Sequence, residues 1–285
     1  MNHVPPAARS IQGRLHLQHG PIDLIIDASG PGRAAAFQRA IDRFQTVLTD
    51  LVAVLPDLRR PVEVSTGAAF PRLASGGIPA RMLDAVLPFK TQFVTPMAAV
   101  AGAVADDVLG VIAAAPGITK AWVNNGGDIA FHLSHGTAFS AQLADTDGIR
   151  VEVPFSARCR GVATSGWHGR SHSLGIADAV TVLAQTAAAA DVAATLIANA
   201  VDLPGHPAVQ RRPAETLSPD SDLGMRPVTI DVGPLSSAET VQALDRGVAF
   251  ARDCAARGLI EAAHLTLNNH HRRTGELTLA EPHYA

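Results

Sequence analysis

A single carboxylate stands in one of the most apolar stretches of this chain. Asp191 lies within Ala187–Val201, AAAADVAATLIANAV, and Thr195 follows it one helical turn later. On an α-helix that spacing brings both side-chain oxygens to one face. A charge in such surroundings is costly unless it is paired or bound to a metal, and a carboxylate beside a hydroxyl suits the hard ions Mg2+ and Ca2+. The same carboxylate can instead accept hydrogen bonds from a neighbouring loop, and these residues alone favour that reading. Two other clusters carry chemistry. Asn124-Asn125-Gly126-Gly127-Asp128 joins two short strand-like runs. Paired glycines there normally make a hairpin turn, yet bare N–H groups beside an acid also form a seat for a phosphate and its metal. Gly161–Gly166 is a short apolar run ending in Thr164-Ser165-Gly166, a small polar turn that lets a backbone approach a ligand closely.

The flanking sequence must hold these clusters in place. Ala179–Ala184, AVTVLA, is uncharged and β-branched, as a strand covered on both faces would be. Residues 11–28 read as a hairpin about His19-Gly20-Pro21. A helix follows from Pro31 to about Leu55, with Phe37, Ile41, Phe44, Val47 and Leu48 on one face. Pro56–Pro88 carries five prolines and is expected to wrap the fold, with short helical pieces near Arg81–Val86. Val94–Ala115 predicts a helix with Thr95 as N-cap and Pro96 at its first position. Its run of Ala and Gly leaves room for another backbone or a flat ligand. Strands are expected at 120–123, 129–133, 137–143 and 149–155, the last two joined by a turn at Asp145–Gly148. Residues 202–227 hold five prolines and read as a lid or mobile loop. Ser236–Arg257 is an amphipathic helix with a capped start, Ala263–Leu267 a strand, and Asn268–Arg273 a solvated tail or partner contact.

Composition narrows the function. Hydrophobic residues make up 47% and charged residues 17%, with a formal net charge of -3. No basic stripe marks a nucleic-acid surface. The uncharged run Thr91–Ala105 ends at Asp106-Asp107, short of the ~18–20 residues of a spanning helix. The N-terminal MNHVPPAARS lacks an apolar export core. Cys159 and Cys254 lie far apart and read as reduced thiols. Together these features predict a cytoplasmic protein that engages neither membrane nor nucleic acid.

Three segments in fixed order, TPMAAVAGAVAD, NNGGDI and VATSG…GIADAVTV…ADVAATLIANAV, closely resemble the UPF0280 family and, more distantly, the ApbE family of flavin transferases. The resemblance covers roughly residues 91–201. ApbE-like enzymes bind FAD and use Mg2+ to transfer FMN to a threonine or serine of an acceptor protein, releasing AMP; some hydrolyse FAD. The resemblance implies that Asp191 and Thr195, matching A-D-x-x-A-T, hold the metal. It places a main-chain carbonyl at Val100 beside them, and it sets Asn125, Gly126, Gly127 and Asp128 with Thr164, Ser165 and Gly166 around the flavin and its pyrophosphate. It also shifts the reading of Asp191 towards metal binding. Two departures stand out. The family's I-A-K-G lysine is Ala101 here, and the H-x-I-x-D-P-x-T-G segment is replaced by the shorter WHGRSHSLGIAD.

Other constellations are weaker. His168 and His172 stand four residues apart, but Gly169 and the surrounding turn argue against a zinc pair. Contact with phosphate or flavin beside Arg170 is the alternative. Ser165 with Asp178 lacks the G-x-S-x-G elbow of a serine hydrolase. Trp167 fits either an aromatic ligand or a core.

The sequence therefore predicts an α+β fold of the ApbE type, antiparallel sheets packed with Ala-rich helices, in one domain over residues 1–285. Hairpin-length connections argue against a doubly wound parallel sheet. The function expected is Mg2+-dependent binding of a flavin nucleotide, with transfer of FMN to a protein hydroxyl or hydrolysis of FAD, and Asp128 as the nearest general base. The alternative is a non-catalytic binding or assembly protein that kept the fold. Expected partners are FAD, an acceptor protein and further copies of the chain.

Overall fold

The computed structural model describes residues 6–63, 70–144, 148–276 and 278–280. Three antiparallel strands open the chain, β1 (Ala7–Ile11), β2 (Arg14–His19) and β3 (Ile22–Ser29). Strict alternation shapes β3: Ile22, Leu24, Ile26 and Ala28 are buried while their neighbours are not. Helix α1 (Arg33–Ala53) follows. Its buried stripe is Ala36, Ala40, Phe44, Val47 and Leu51, so the centre of contact lies one position before the expected face. Phe37, Ile41 and Leu48 flank it, partly buried. Two short helices, α2 (Leu55–Leu58) and α3 (Gly77–Val86), bracket the proline-rich stretch, whose residues 64–69 fall outside the described set.

A 3-10 turn at Pro96–Ala99 leads into α4 (Val100–Ala113). The expected cap is absent: Thr95 gives no side-chain cap, because its hydroxyl donates to Asp222 instead. Strands β4 (Lys120–Asn125), β5 (Asp128–Leu133), β6 (Ala138–Gln142), β7 (Arg150–Pro154), β8 (Gly161–Ser165) and β9 (Ala179–Ala184) come next. The turn between β6 and β7 lies partly outside the described residues. Helix α5 (Ala187–Ala200) carries Asp191 and Thr195. Residues 202–227 are not structureless: β10 (Val209–Pro213) and α6 (Ala214–Leu217) lie within them, and β10 pairs with β11 (Pro227–Val232). Helix α7 (Ser237–Ala256) precedes β12 (Ala262–Leu267), β13 (His270–Gly275) and β14 (Thr278–Ala280). The expected polar tail is thus a hairpin. Asn268 and Asn269, with φ of 47° and 59°, form its turn, since asparagine tolerates the left-handed region.

All pairings are antiparallel. Nine strands form one sheet in the order β1-β2-β3-β4-β5-β8-β9-β12-β13, and β14-β7-β6 form a second. Helices α1, α3, α4, α5 and α7 cover one face of the large sheet in the main core. The small sheet covers part of the other face through Phe131, Phe139, Val151, Val153, Val162 and Leu183. Every residue of β9 is buried, as its uncharged composition requires of a strand sealed on both sides.

Pro96–Ala113 reaches 18 residues at a mean hydropathy of 1.6, long and apolar enough by that measure to cross a membrane. Half of it is buried inside the fold, and its two acids have defined partners: Asp106 receives N–H groups of α5, and Asp107 pairs with Arg43 at 2.6 Å. It is a core helix.

One clasp ties residue 206 to α7. Ala208 N–H donates to His206 Nδ1 at 3.2 Å, which leaves Nε2–H to donate to Glu239 at 3.0 Å. Glu239 also completes a capping box with Ser236. The donors of Ser236, then of His206, hold its carboxyl down to about 2. A lowered folded value gives stability that is present above the unfolded value of 4.5 and is lost as pH falls towards 2. Glu239→Gln should therefore melt earlier than wild type at pH 7 and equally at about pH 2; parallel melting curves across that range would show that the clasp contributes nothing.

Candidate functional site

The site is assembled around the start of α5. Gly102 on α4 and Gly161 on β8 clear the space for it: a Cβ on either would lie 2.3 Å from Ala187 O or 2.2 Å from Ala187 N. The small residues of α4 thus admit another backbone, one of the two occupants expected. Asp106 of α4 then receives the N–H groups of Ala187 and Ala188 at 3.0 and 2.9 Å, and Thr186 caps Ala189 at 3.1 Å. Free N–H groups at a helix start need such acceptors. Burial still raises the Asp106 carboxyl above its ordinary value, against the pull of those two donors.

Asp191 sits one turn further along α5 and takes the N–H of Gly102 at 3.0 Å. Asn125, 5% exposed, donates its side-chain amide to the carbonyl of Ala101 at 3.1 Å. The β4–β5 turn is thereby fixed to the start of α4. Across that turn Asp128 pairs with Asn125 and receives the N–H of Thr164 at 3.3 Å. Burial pushes Asp191 well above the usual carboxylate range, and the charge of Asp128 pushes it further, against the N–H groups of Gly102 and Ala101. Burial also drives Asp128 up to about 7, against the Thr164 N–H and the charge of Arg170. Both side chains keep some exposed surface. A charge on Asp128 thus opposes a charge on Asp191.

The oxygens near the start of α4 are the two carboxylates and the Ala101 carbonyl that Asn125 holds, and Thr195 follows Asp191 one turn later on α5. An all-oxygen set with two repelling acids fits a hard divalent cation, which would relieve both. No group of three His, Cys, Asp or Glu side chains able to hold a metal occurs among the described residues, so carbonyl and hydroxyl oxygens have to complete any coordination.

The Gly126-Gly127 turn differs from expectation in one respect. The N–H of Gly127 is taken by Asn124 Oδ1 at 2.8 Å and is not free for a phosphate. The Arg170 guanidinium lies against this turn instead, 1.9 Å from where a Cβ of Gly126 would be. Glycine at 126 permits that contact and the positive φ of 68°. Thr164 directs its hydroxyl to Thr181 at 2.9 Å, and Gly166 abuts the carbonyl of Asp178, 2.1 Å from a would-be Cβ.

The histidines separate. His168 Nε2 lies 3.4 Å from Asp178, with its ring 3.8 Å from that of Trp167, whose Nε1 donates to Asp178 at 3.3 Å. Asp178 also receives the N–H of Asn268 at 2.7 Å, so it organises a loop and does not serve Ser165. His172 meets Ser218 at 3.2 Å, which joins this loop to the segment over α4. Arg226, stacked 3.3 Å from the Phe93 ring, and the Thr95–Asp222 bond hold that segment from the other side. Asp106 and Arg170 were not assigned these roles from sequence. An acid in the apolar stretch AVADDVLG is the same signal that marks Asp191, whereas nothing near Arg170 indicates its contact with Gly126.

Comparison with known proteins gives the family. The UPF0280 protein MK0206 of Methanopyrus kandleri is 34% identical over 182 residues, covering 62% of this chain and 69% of that protein. A UPF0280 protein of Methanococcoides burtonii is 40% identical over 119 residues, 40% of this chain and 49% of its own. Among solved structures, the ApbE protein of Thermotoga maritima aligns with a TM-score of 0.45 at 11% identity, over 97% of this chain and 96% of that one. The apo flavinyl transferase ApbE of Pseudomonas stutzeri aligns with a TM-score of 0.42 at 12% identity, over 96% of each. A family model described as AbpE bacteria matches residues 7–278, nearly the whole chain. The chain therefore belongs to this bacterial AbpE family and is related to the UPF0280 proteins.

Proposed function

We propose that this protein binds FAD with Mg2+ and transfers the FMN half to a hydroxyl, of an acceptor protein or of water, with release of AMP. The observation that carries the reading is geometric: Asp191 takes the Gly102 N–H, and Asn125, the cross-strand partner of Asp128, holds the adjacent Ala101 carbonyl, so two acids converge on the start of α4. Asp191, Thr195 and the main-chain carbonyl of Val100 would hold the metal. Once bound, Mg2+ supplies charge neutralisation at the pyrophosphate.

The chain's own groups do the rest. Arg170, at the Gly126 turn, offers the positive charge that Ala101 lacks and steadies the phosphates. Asp128, raised towards neutrality, suits proton removal from the attacking hydroxyl. The new bond joins that oxygen to the FMN phosphorus, the bond from phosphorus to the bridging oxygen breaks, and AMP leaves with that oxygen. The 202–227 segment, bound to Thr95 and His172, shields the opening of α4 from water.

Incubation of the purified protein with FAD and Mg2+, followed by chromatography of the nucleotides, tests the reading. AMP should accumulate, with EDTA stopping it. FAD that is bound and recovered intact under those conditions would instead favour a binding protein that kept the fold without the chemistry, a reading in line with the shortened segment after Gly166.

A further inference from the structure

The large sheet has a second functional face. Along β4 the side chains alternate, so Ala121, Val123 and Asn125 are buried towards the helices while Trp122 and Asn124 turn the other way. On that side lies a trough of about 650 Å³, between the large sheet and the edge strand β6. Sites for small molecules usually span ~300–1,000 Å³. One wall is flat and cationic: the Arg14 guanidinium lies 5.2 Å over the Trp122 ring. Its nearest acid, Asp27, is 3.9 Å away. The opposite wall is β6, where Phe139 stacks on Phe131 at 4.4 Å. Beside Phe139, Arg150 is held on Ser140 by bonds of 2.8 and 3.3 Å. One end of the trough is the Gly126-Gly127 turn with Thr164, the same turn that presents Asp128 to Asp191 on the helix face.

Two guanidiniums, an indole and glycine backbone select a planar ring carrying negative charge. Arginine and tryptophan hold such rings by stacking and cation–π attraction, and arginine forks suit phosphate. We propose that this trough binds one aromatic half of a dinucleotide, a heteroaromatic ring with its 5′-phosphate. The ring lies along Trp122, Arg14 and Arg150 flank it, and the phosphate points to Gly126. The assignment rests on the function proposed above and adds which surface takes half of the ligand: a bipartite molecule centred on the acid pair turns around the glycines and sends one ring across the sheet edge.

The chain has two tryptophans, so a Trp167→Phe background makes Trp122 the sole reporter. In that background AMP, FMN and FAD are titrated separately while tryptophan emission is followed. FAD and one of the two mononucleotides should quench Trp122, and the responding mononucleotide names the half that occupies the trough. Arg14→Gln and Arg150→Gln should each raise the Kd of those two ligands at least about threefold, with the lysine variants intermediate and melting curves confirming the fold. Absence of quenching by all three, or unchanged affinity in both folded Gln variants, overturns the proposal. AMP release measured on the same samples separates the two readings. Trough binding without cleavage retains this site and removes the transferase, whereas cleavage unaltered by both variants retains the transferase and removes this site.

Discussion

Asp191→Asn is expected to raise the melting temperature of the metal-free protein and to abolish the stabilisation that Mg2+ and FAD give the wild type. The amide oxygen can still accept the Gly102 N–H, now 3.0 Å from the carboxylate, so the local bond is kept. What disappears is a charge that burial and Asp128 both oppose. A folded value raised above the ordinary 3.8 gives stability that is full below that value and is lost as pH rises through the folded one. The advantage of Asn should therefore be near zero at about pH 4 and grow towards pH 8. With ligands at roughly 100 times Kd, wild type should gain ~2.7 kcal/mol. For a chain of this size that is roughly 5–10 °C. The variant should gain nothing, and AMP release should fall roughly 100-fold or more. Equal ligand stabilisation of both proteins would remove Asp191 from the site. A metal-free variant less stable than wild type would mark it as a structural acceptor.

Gly102→Ala is expected to damage stability and ligand response together. A Cβ there would meet Ala187 O at 2.3 Å and Ala188 N at 2.6 Å, both backbone atoms that no side-chain rotation can move. Helices α4 and α5 would have to separate, at about 3 kcal/mol by the upper range of overpacked cores, and the N–H offered to Asp191 would move with them. Gly110 lies on the same helix with nothing within 4 Å of a Cβ. Gly110→Ala should stabilise by about 0.5–1 kcal/mol through helix propensity. Chemical denaturation of the three proteins tests the contrast, and a Gly102→Ala midpoint equal to that of wild type would contradict the close approach.

Where the sequence was legible, a local signal agreed with the tertiary demand. The uncharged β9, the capping box at Ser236–Glu239 and the paired glycines between β4 and β5 each state their conformation within a few residues. Thr95-Pro96 states a cap equally clearly, yet the threonine hydroxyl was drawn to Asp222, more than a hundred residues away. The hairpin at Asn268-Asn269 carried a left-handed turn signal, but the charged run after it masked a strand whose alternate residues are exposed on one side. For the candidate site, Asp191 stood out as an acid in an apolar helix and Asp128 as an acid beside paired glycines. The roles of Asp106, Arg170 and Asn125 depend on which helix start, glycine or carbonyl each one meets, and no spacing encodes that.

The exchange of bonds between α4 and α5 has a mechanical consequence. Helix α4 lends an N–H to the acid of α5, and α5 lends two N–H groups to the acid of α4. A pair joined in both directions cannot slide without breaking bonds at both ends, so it behaves as one rigid block beneath Asp191. The chain from 202 to 227 is tied differently, meeting Thr95, His172 and Phe93 through the side chains of Asp222, Ser218 and Arg226. On the function proposed above, rigidity is thereby concentrated where charge has to be positioned.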